Sequence, residues 1–124
     1  MPAGGDVSWR MPIVIGGGRN DGEGFRMAAY MILIRDEPVR DEAAMAEYQR
    51  MNREAANEFS AKLTPLVLYG AVQALEGAKP DGVIVLRFPT VEDAKAWYDS
   101  PAYQASLPYR KKAADYRAIV VQGV

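Results

Sequence analysis

Gly82-Val83-Ile84-Val85-Leu86-Arg87-Phe88 is the stretch on which the fold turns. It is apolar and rich in β-branched residues, with Pro80-Asp81 before it and Pro89 after it. That is the signature of a β-strand between turns. Side chains alternate across a strand, so Ile84, Leu86 and Phe88 share one side, and Val83, Val85 and Arg87 the other. Both sides are largely apolar, whereas a half-solvated antiparallel strand alternates apolar with polar residues. Both faces of this strand therefore need a cover. Upstream, Glu76–Asp81 (Glu-Gly-Ala-Lys-Pro-Asp) reads as a turn, and Leu66–Leu75 as the preceding strand, with Gly70 marking a bulge or bend.

Working outward, Ala29–Arg35 (Ala-Tyr-Met-Ile-Leu-Ile-Arg) is a first strand, stopped by Asp36-Glu37-Pro38. Asp41 is a helix N-cap, with Glu42 favourably placed in the first turn. Ala44, Tyr48, Met51, Ala55 and Phe59 then form one apolar helical stripe. Thr64-Pro65 is expected to end that helix. Past the 82–88 strand, Thr90 caps a second helix, with Asp93 as a short capping-box partner and Ala94, Trp97 and Tyr98 on its apolar side. Ser100-Pro101 is a second cap with Pro at the first helical position. The helix restarts through Tyr103 and Leu107, and Pro108 should kink or break it. Arg117–Gln122 is the last strand.

The order is βαββαβ, an α+β ferredoxin-like arrangement with a four-stranded antiparallel sheet and helices on one face. The other face is also apolar, with Tyr30, Ile32 and Ile34 in the first strand and Ile119 and Val121 in the last. The simplest cover for it is a second copy of the same sheet, so a homodimer through the sheet face is expected.

Composition narrows the chemistry. Fifteen basic residues face sixteen acidic ones, a balance unlike that of an electrostatic nucleic-acid or membrane-surface binder. No apolar run approaches the ~20 residues of a membrane span, and the N-terminus lacks a signal-peptide pattern, so a cytoplasmic location is expected. The chain contains no Cys and no His. Disulfides, thiol nucleophiles and histidine-based catalysis are thereby excluded, and no metal or other cofactor is expected. Gly4, Gly5, Gly16, Gly17, Gly18, Gly22 and Gly24 crowd residues 1–26. Gly16-x-Gly18 is not a dinucleotide fingerprint, because Asp21 stands where the third glycine is due. Residues 1–26 read either as an upstream extension from a misassigned start, the domain opening at Met27, or as a flexible arm. The domain is then 27–124.

Particular residues also carry a family likeness: Ala29-Tyr30, Ala46-Glu47-Tyr48, Gly70-Ala71-Val72, Leu75-Glu76-Gly77, Phe88-Pro89, and above all Tyr98-Asp99-Ser100-Pro101-Ala102-Tyr103-Gln104. Arg110, Ala113-Ala114-Asp115 and Arg117 complete it. Together they resemble the domain-of-unknown-function family thirteen-thirty, of the dimeric α/β-barrel superfamily, over essentially all of 27–124. The resemblance implies two ferredoxin-like protomers paired sheet to sheet, with a pocket between each sheet and its helices. Its relatives by fold include cofactor-free monooxygenases, lactone isomerases, haem-dependent enzymes and stress-responsive proteins, so fold does not fix function. Met45, Arg87 and the segment Thr64–Tyr69 depart from the family pattern.

The candidate ligand-binding residues are Tyr48, Tyr98, Ser100, Tyr103 and Arg110. Each has a plainer reading beside the functional one. Tyr48 is a core aromatic or a phenol donor at a pocket. Tyr98, Ser100 and Tyr103 are capping and packing residues or a polar lip. Arg110 and Arg117 are solvated cations or anchors for a carboxylate or enolate. Arg35 and Arg87, if buried in the sheet, need partners. RNA recognition by this topology requires stacking rings where Val83 and Val85 stand, which argues against it. Two functions remain: a cofactor-free enzyme or binder for a small carbonyl- or carboxylate-bearing molecule, and a non-catalytic dimeric binding or stress-related module with a packed pocket. An open space between sheet and helices would favour the first.

Overall fold

The computed structural model describes residues 27–55 and 62–124. Strand β1 (Ala29–Arg35) leads into helix α1 (Glu42–Ala55), then β2 (Thr64–Leu68) and β3 (Gly82–Phe88). Helices α2 (Val91–Asp99) and α3 (Pro101–Ala113) follow, and β4 (Tyr116–Gln122) closes the chain. The sheet is antiparallel in the order β2-β3-β1-β4, the ferredoxin-like order. Expectations for residues 1–26, and for Phe59 on the helical stripe, lie outside the described residues. Among those described, no helix is long and apolar enough to cross a membrane.

Caps set the helix starts as the sequence predicts. The Ala44 amide donates to Asp41 Oδ1 at 2.9 Å, and the Asp93 amide to Thr90 Oγ1 at 3.0 Å. Ser100 closes one helix and opens the next. Its hydroxyl donates to the Trp97 carbonyl at 2.7 Å and accepts from the Tyr103 amide at 3.2 Å. Pro108 does not break α3, which runs through it to Ala113. The ring sits on the exposed side, so the missing amide hydrogen bond falls where water can reach the freed carbonyl.

The helix-side sheet face carries Met31 and Leu33 of β1 with Ile84, Leu86 and Phe88 of β3, all buried. A second cluster joins α1 to α3 through Ala44, Met45, Tyr48, Tyr103 and Leu107. Trp97 and Tyr98 of α2 pack against both. On the opposite face, register aligns Ile32 with Val85 and Ile119, and Ile34 with Val83. Ile119 and Val121 remain 49% and 44% exposed there. This is the two-sided apolar sheet expected from the sequence.

Strand β2 differs from expectation. It starts at Thr64, ends at Leu68 and slips register between Pro65 and Val67. Tyr69 ends it by turning left-handed, φ 59°, a conformation that is costly for a bulky residue. The irregularity therefore sits at Pro65–Val67 and Tyr69, while Gly70 occupies open space.

Candidate functional site

Between the sheet and the helices lies an open chamber of about 620 Å³. That volume is within the ~300–1,000 Å³ typical of small-molecule sites. Leu33, Ile84 and Leu86 form its floor, Pro65 and Leu68 one side, and Trp97 and Ala102 another. Helix α1 contributes Tyr48, Gln49, Asn52 and Arg53, and Tyr69 and Tyr103 complete the wall. Among the described residues the lining holds one cation, Arg53, and no acid.

Polar groups converge on Tyr103. Arg110 Nη1 donates to the Tyr103 hydroxyl at 2.9 Å, and the Tyr48 and Tyr103 hydroxyl oxygens are 2.9 Å apart. Seven residues separate Arg110 from Tyr103, two helical turns, and the unbroken α3 keeps them on one face. Trp97 and Tyr98 hold the Tyr103 ring, with centroids 4.3 and 5.4 Å away, and Tyr48 meets it edge-on at 6.1 Å. Arg110 is 4% exposed and its guanidinium lies over the Tyr116 ring, 5.1 Å from the centroid.

Arg110, Tyr103 and Tyr48 form a short hydrogen-bond chain. Arginine only donates, and each phenol carries one proton. Two phenol protons serve one phenol–phenol bond, so one is left over. Among the described residues it has no acceptor. Tyr48 and Tyr103 both line the chamber, so the spare donor belongs to a chamber wall. Burial, then the neighbouring Tyr103 phenol, pushes Tyr48 far above the ordinary phenol range. Tyr103 is also raised by burial, but the Arg110 charge pulls against that rise. Both are neutral donors at physiological pH.

A second aromatic–arginine cluster adjoins the first. Arg35 Nε donates to Asp81 Oδ2 at 2.9 Å and Nη1 to the Tyr116 hydroxyl at 2.9 Å. The Tyr116 hydroxyl is 2.8 Å from that of Tyr69, whose ring lies under the Arg35 guanidinium. Burial, then the Tyr116 bond, raises the Tyr69 phenol as well. A smaller hollow of about 320 Å³, lined by Arg35, Glu42 and Met45, shares Gln49 and Tyr69 with the main chamber.

Of the sequence candidates, Tyr48 and Tyr103 line the chamber, and Arg110 stands behind Tyr103. Tyr98 and Ser100 are not in the lining; they hold Tyr103 by ring contact and by capping. Arg117 pairs with Asp36 at 3.2 Å on the surface. Sequence reasoning missed Tyr69, Gln49 and Asn52 as wall residues. Gln49 and Asn52 flank the apolar stripe at Tyr48 and Met51, and that adjacency was their one signal. The position of Tyr69 depends on its left-handed turn, which no local pattern announces.

The fold and this chamber define a ferredoxin-like α+β protein with a Tyr- and Arg-backed cavity beneath one sheet face. Residues 28–124 match the family described as domain of unknown function DUF1330, and the chain belongs to that family. Among curated proteins none matches the chain. A protein of unknown function from Rhodopseudomonas palustris is similar in structure, with TM-score 0.61 at 17% identity, over 80% of this chain and 84% of that one. A dimeric ferredoxin-like protein of unknown function from Thermobifida fusca aligns at TM-score 0.54 and 10% identity, over 85% and 99% of the two chains. A dimeric protein of unknown function with a ferredoxin-like fold from Bacteroides fragilis gives 0.51 and 13%, over 80% and 99%.

Proposed function

We propose that this protein is a homodimer whose chamber binds a small, mainly apolar molecule carrying a hydrogen-bond-accepting oxygen, such as a carbonyl or carboxylate. The observation that carries the reading is the open, mostly hydrocarbon-walled chamber with one unclaimed phenol proton in its wall. Hydrocarbon walls favour an apolar body, and a single placed donor selects an acceptor. The open space supports this reading over that of a packed pocket.

Dimer formation is supported by the uncovered apolar sheet face and by the two structural neighbours described as dimeric. In a sheet-to-sheet pair the chambers remain on the outer, helical sides, one per protomer. Chemistry at this site would use Tyr48, Tyr103 and Arg110 without a resident cofactor, stabilising negative charge on the bound oxygen. A thermal-shift screen of small aromatic and alicyclic ketones and acids tests the reading. Compounds with an acceptor should raise the melting temperature, since a ligand of the native state stabilises it. Trp97 in the wall should report the same binding by a fluorescence change. A screen in which hydrocarbons and carbonyl compounds alike leave both signals unmoved would refute it.

A further inference from the structure

Among the described residues no acid faces Arg110. Its side chain is buried, its Nε has no hydrogen-bond partner, and no carboxylate pairs with it among the described residues. Its contacts are the Tyr103 hydroxyl and the face of the Tyr116 ring. A buried cation is ordinarily paired, because an uncompensated charge in low dielectric is costly. The neighbouring cation, Arg35, shows the usual solution, an ion pair with Asp81 at 2.8 Å.

The described groups around the chamber do not supply the missing charge. Tyr48 on α1, Tyr98 on α2, Tyr103 on α3, Tyr69 after β2 and Tyr116 on β4 are phenols, and burial raises Tyr48, Tyr69 and Tyr103 further. Arg53, at the chamber wall, adds a second positive charge. Asp81 is engaged by Arg35, and Glu42 lines the smaller hollow, not the chamber.

Resting on the proposed function, we infer that the chamber takes its ligand as an oxyanion: a phenol or an enolisable carbonyl compound bound as phenolate or enolate. The ligand's O–H or α-C–H proton passes to solvent, and the resulting oxyanion accepts a hydrogen bond from the spare phenol O–H of the Tyr48–Tyr103 pair. Arg110 donates to Tyr103 from behind, so the hydrogen bonds point from cation to anion and each strengthens the next. Arg110 is thus a positioning residue, acting through Tyr103, and the bound anion is its counter-ion. Two hydrogen bonds of 2.9 Å lie between the guanidinium and the Tyr48 hydroxyl oxygen, and the bond to the ligand oxyanion is the third. Across so short a path in a partly dry site, the attraction shifts an ionisation by about one pH unit or more.

4-Nitrophenol is a suitable probe, because its neutral and ionised forms absorb at different wavelengths. Nitrobenzene, of the same shape without the acidic proton, serves as control. Titrating each probe into the full chain across pH gives the affinity and, for nitrophenol, the ionisation of the bound form. Bound nitrophenol should ionise at least about one pH unit below the free compound, a tenfold preference for the anion. Arg110→Lys, which keeps the charge, should retain most of the shift. Arg110→Met and Tyr103→Phe should abolish it while circular dichroism stays unchanged. Bound nitrophenol that ionises at or above its free value overturns the inference and leaves the proposed function standing. A shift that survives in Arg110→Met also overturns it. Failure of both probes to bind would sink the inference and the proposed function together.

Discussion

Replacing Arg110 by Met should make the protein more stable and less able to hold an anion. The guanidinium is 4% exposed and has two favourable contacts. Its 2.9 Å bond to Tyr103 is a charge-assisted hydrogen bond, worth ~1.5–3 kcal/mol. The Tyr116 ring 5.1 Å away adds ~0.5–2 kcal/mol. Against these stands the cost of taking an ion out of water, several kcal/mol, with no carboxylate among the described residues to offset it and Nε unsatisfied. Methionine fills similar space, keeps contact with Tyr116 and buries nothing polar. Tyr103 keeps its bond to Tyr48. The balance favours the variant by about 1 kcal/mol, within the neutral-to-stabilising range seen when buried ions become apolar. For a domain of this size that is a rise of ~4–8 °C in melting temperature. Urea unfolding followed by circular dichroism measures it: the midpoint should move up at constant slope. A loss of more than ~2 kcal/mol at unchanged slope would mean that the guanidinium is a structural keystone, and would refute the reasoning.

Other perturbations test other parts of the structure. Val85→Asp puts a charge in the middle of the open sheet face, where Val85 pairs with Ile32; sedimentation should show the proposed dimer of the wild type and its loss in the variant, whereas an unchanged dimer would place the interface elsewhere. Gly82→Ala sets a new methyl 2.8 Å from Tyr69 Cδ1 and 3.2 Å from an Arg35 nitrogen. It should cost ~1–3 kcal/mol in chemical denaturation and loosen the Tyr69 wall, since overpacking forces neighbours to move. Tyr48 and Tyr103 are raised above the unfolded phenol value. Their contribution is therefore full below about pH 10 and falls away as pH rises through the folded values. Alkaline melting curves should show that decline, and Tyr48→Phe should flatten it. Thr90→Ala removes the cap of α2 and should cost about 1 kcal/mol in the same denaturation assay.

The parts of the fold that were legible in the sequence are those fixed by local rules. Strands β1 and β3 span their apolar runs, β3 bracketed by Pro80-Asp81 and Pro89 and β1 stopped by Asp36-Glu37-Pro38. Asp41, Thr90 and Ser100 cap as their chemistry requires. Strand β2 was read too late in the chain. It is exposed throughout, slips register at Pro65–Val67 and stops at a left-handed Tyr69. Its limits are set by pairing with β3, which no pattern within residues 64–75 encodes. Pro108 misled for a similar reason: a proline forbids its own amide bond, but an exposed position on a packed helix tolerates that loss. Within the site, Tyr48 and Tyr103 follow from helical stripes. The bond between them, and the burial of Arg110 behind Tyr103, follow only from how α1 and α3 face each other.

The central claim is that the chamber between sheet and helices holds a small apolar molecule by one accepting oxygen. Calorimetric titration with the matched pair 1-indanone and indane tests it most directly, since the two differ only in the carbonyl. The ketone should bind about fivefold to tenfold tighter, the equivalent of one net hydrogen bond of ~1–1.4 kcal/mol, and Tyr48→Phe with Tyr103→Phe should erase the difference. Equal affinities for ketone and hydrocarbon in the wild-type protein would contradict the claim.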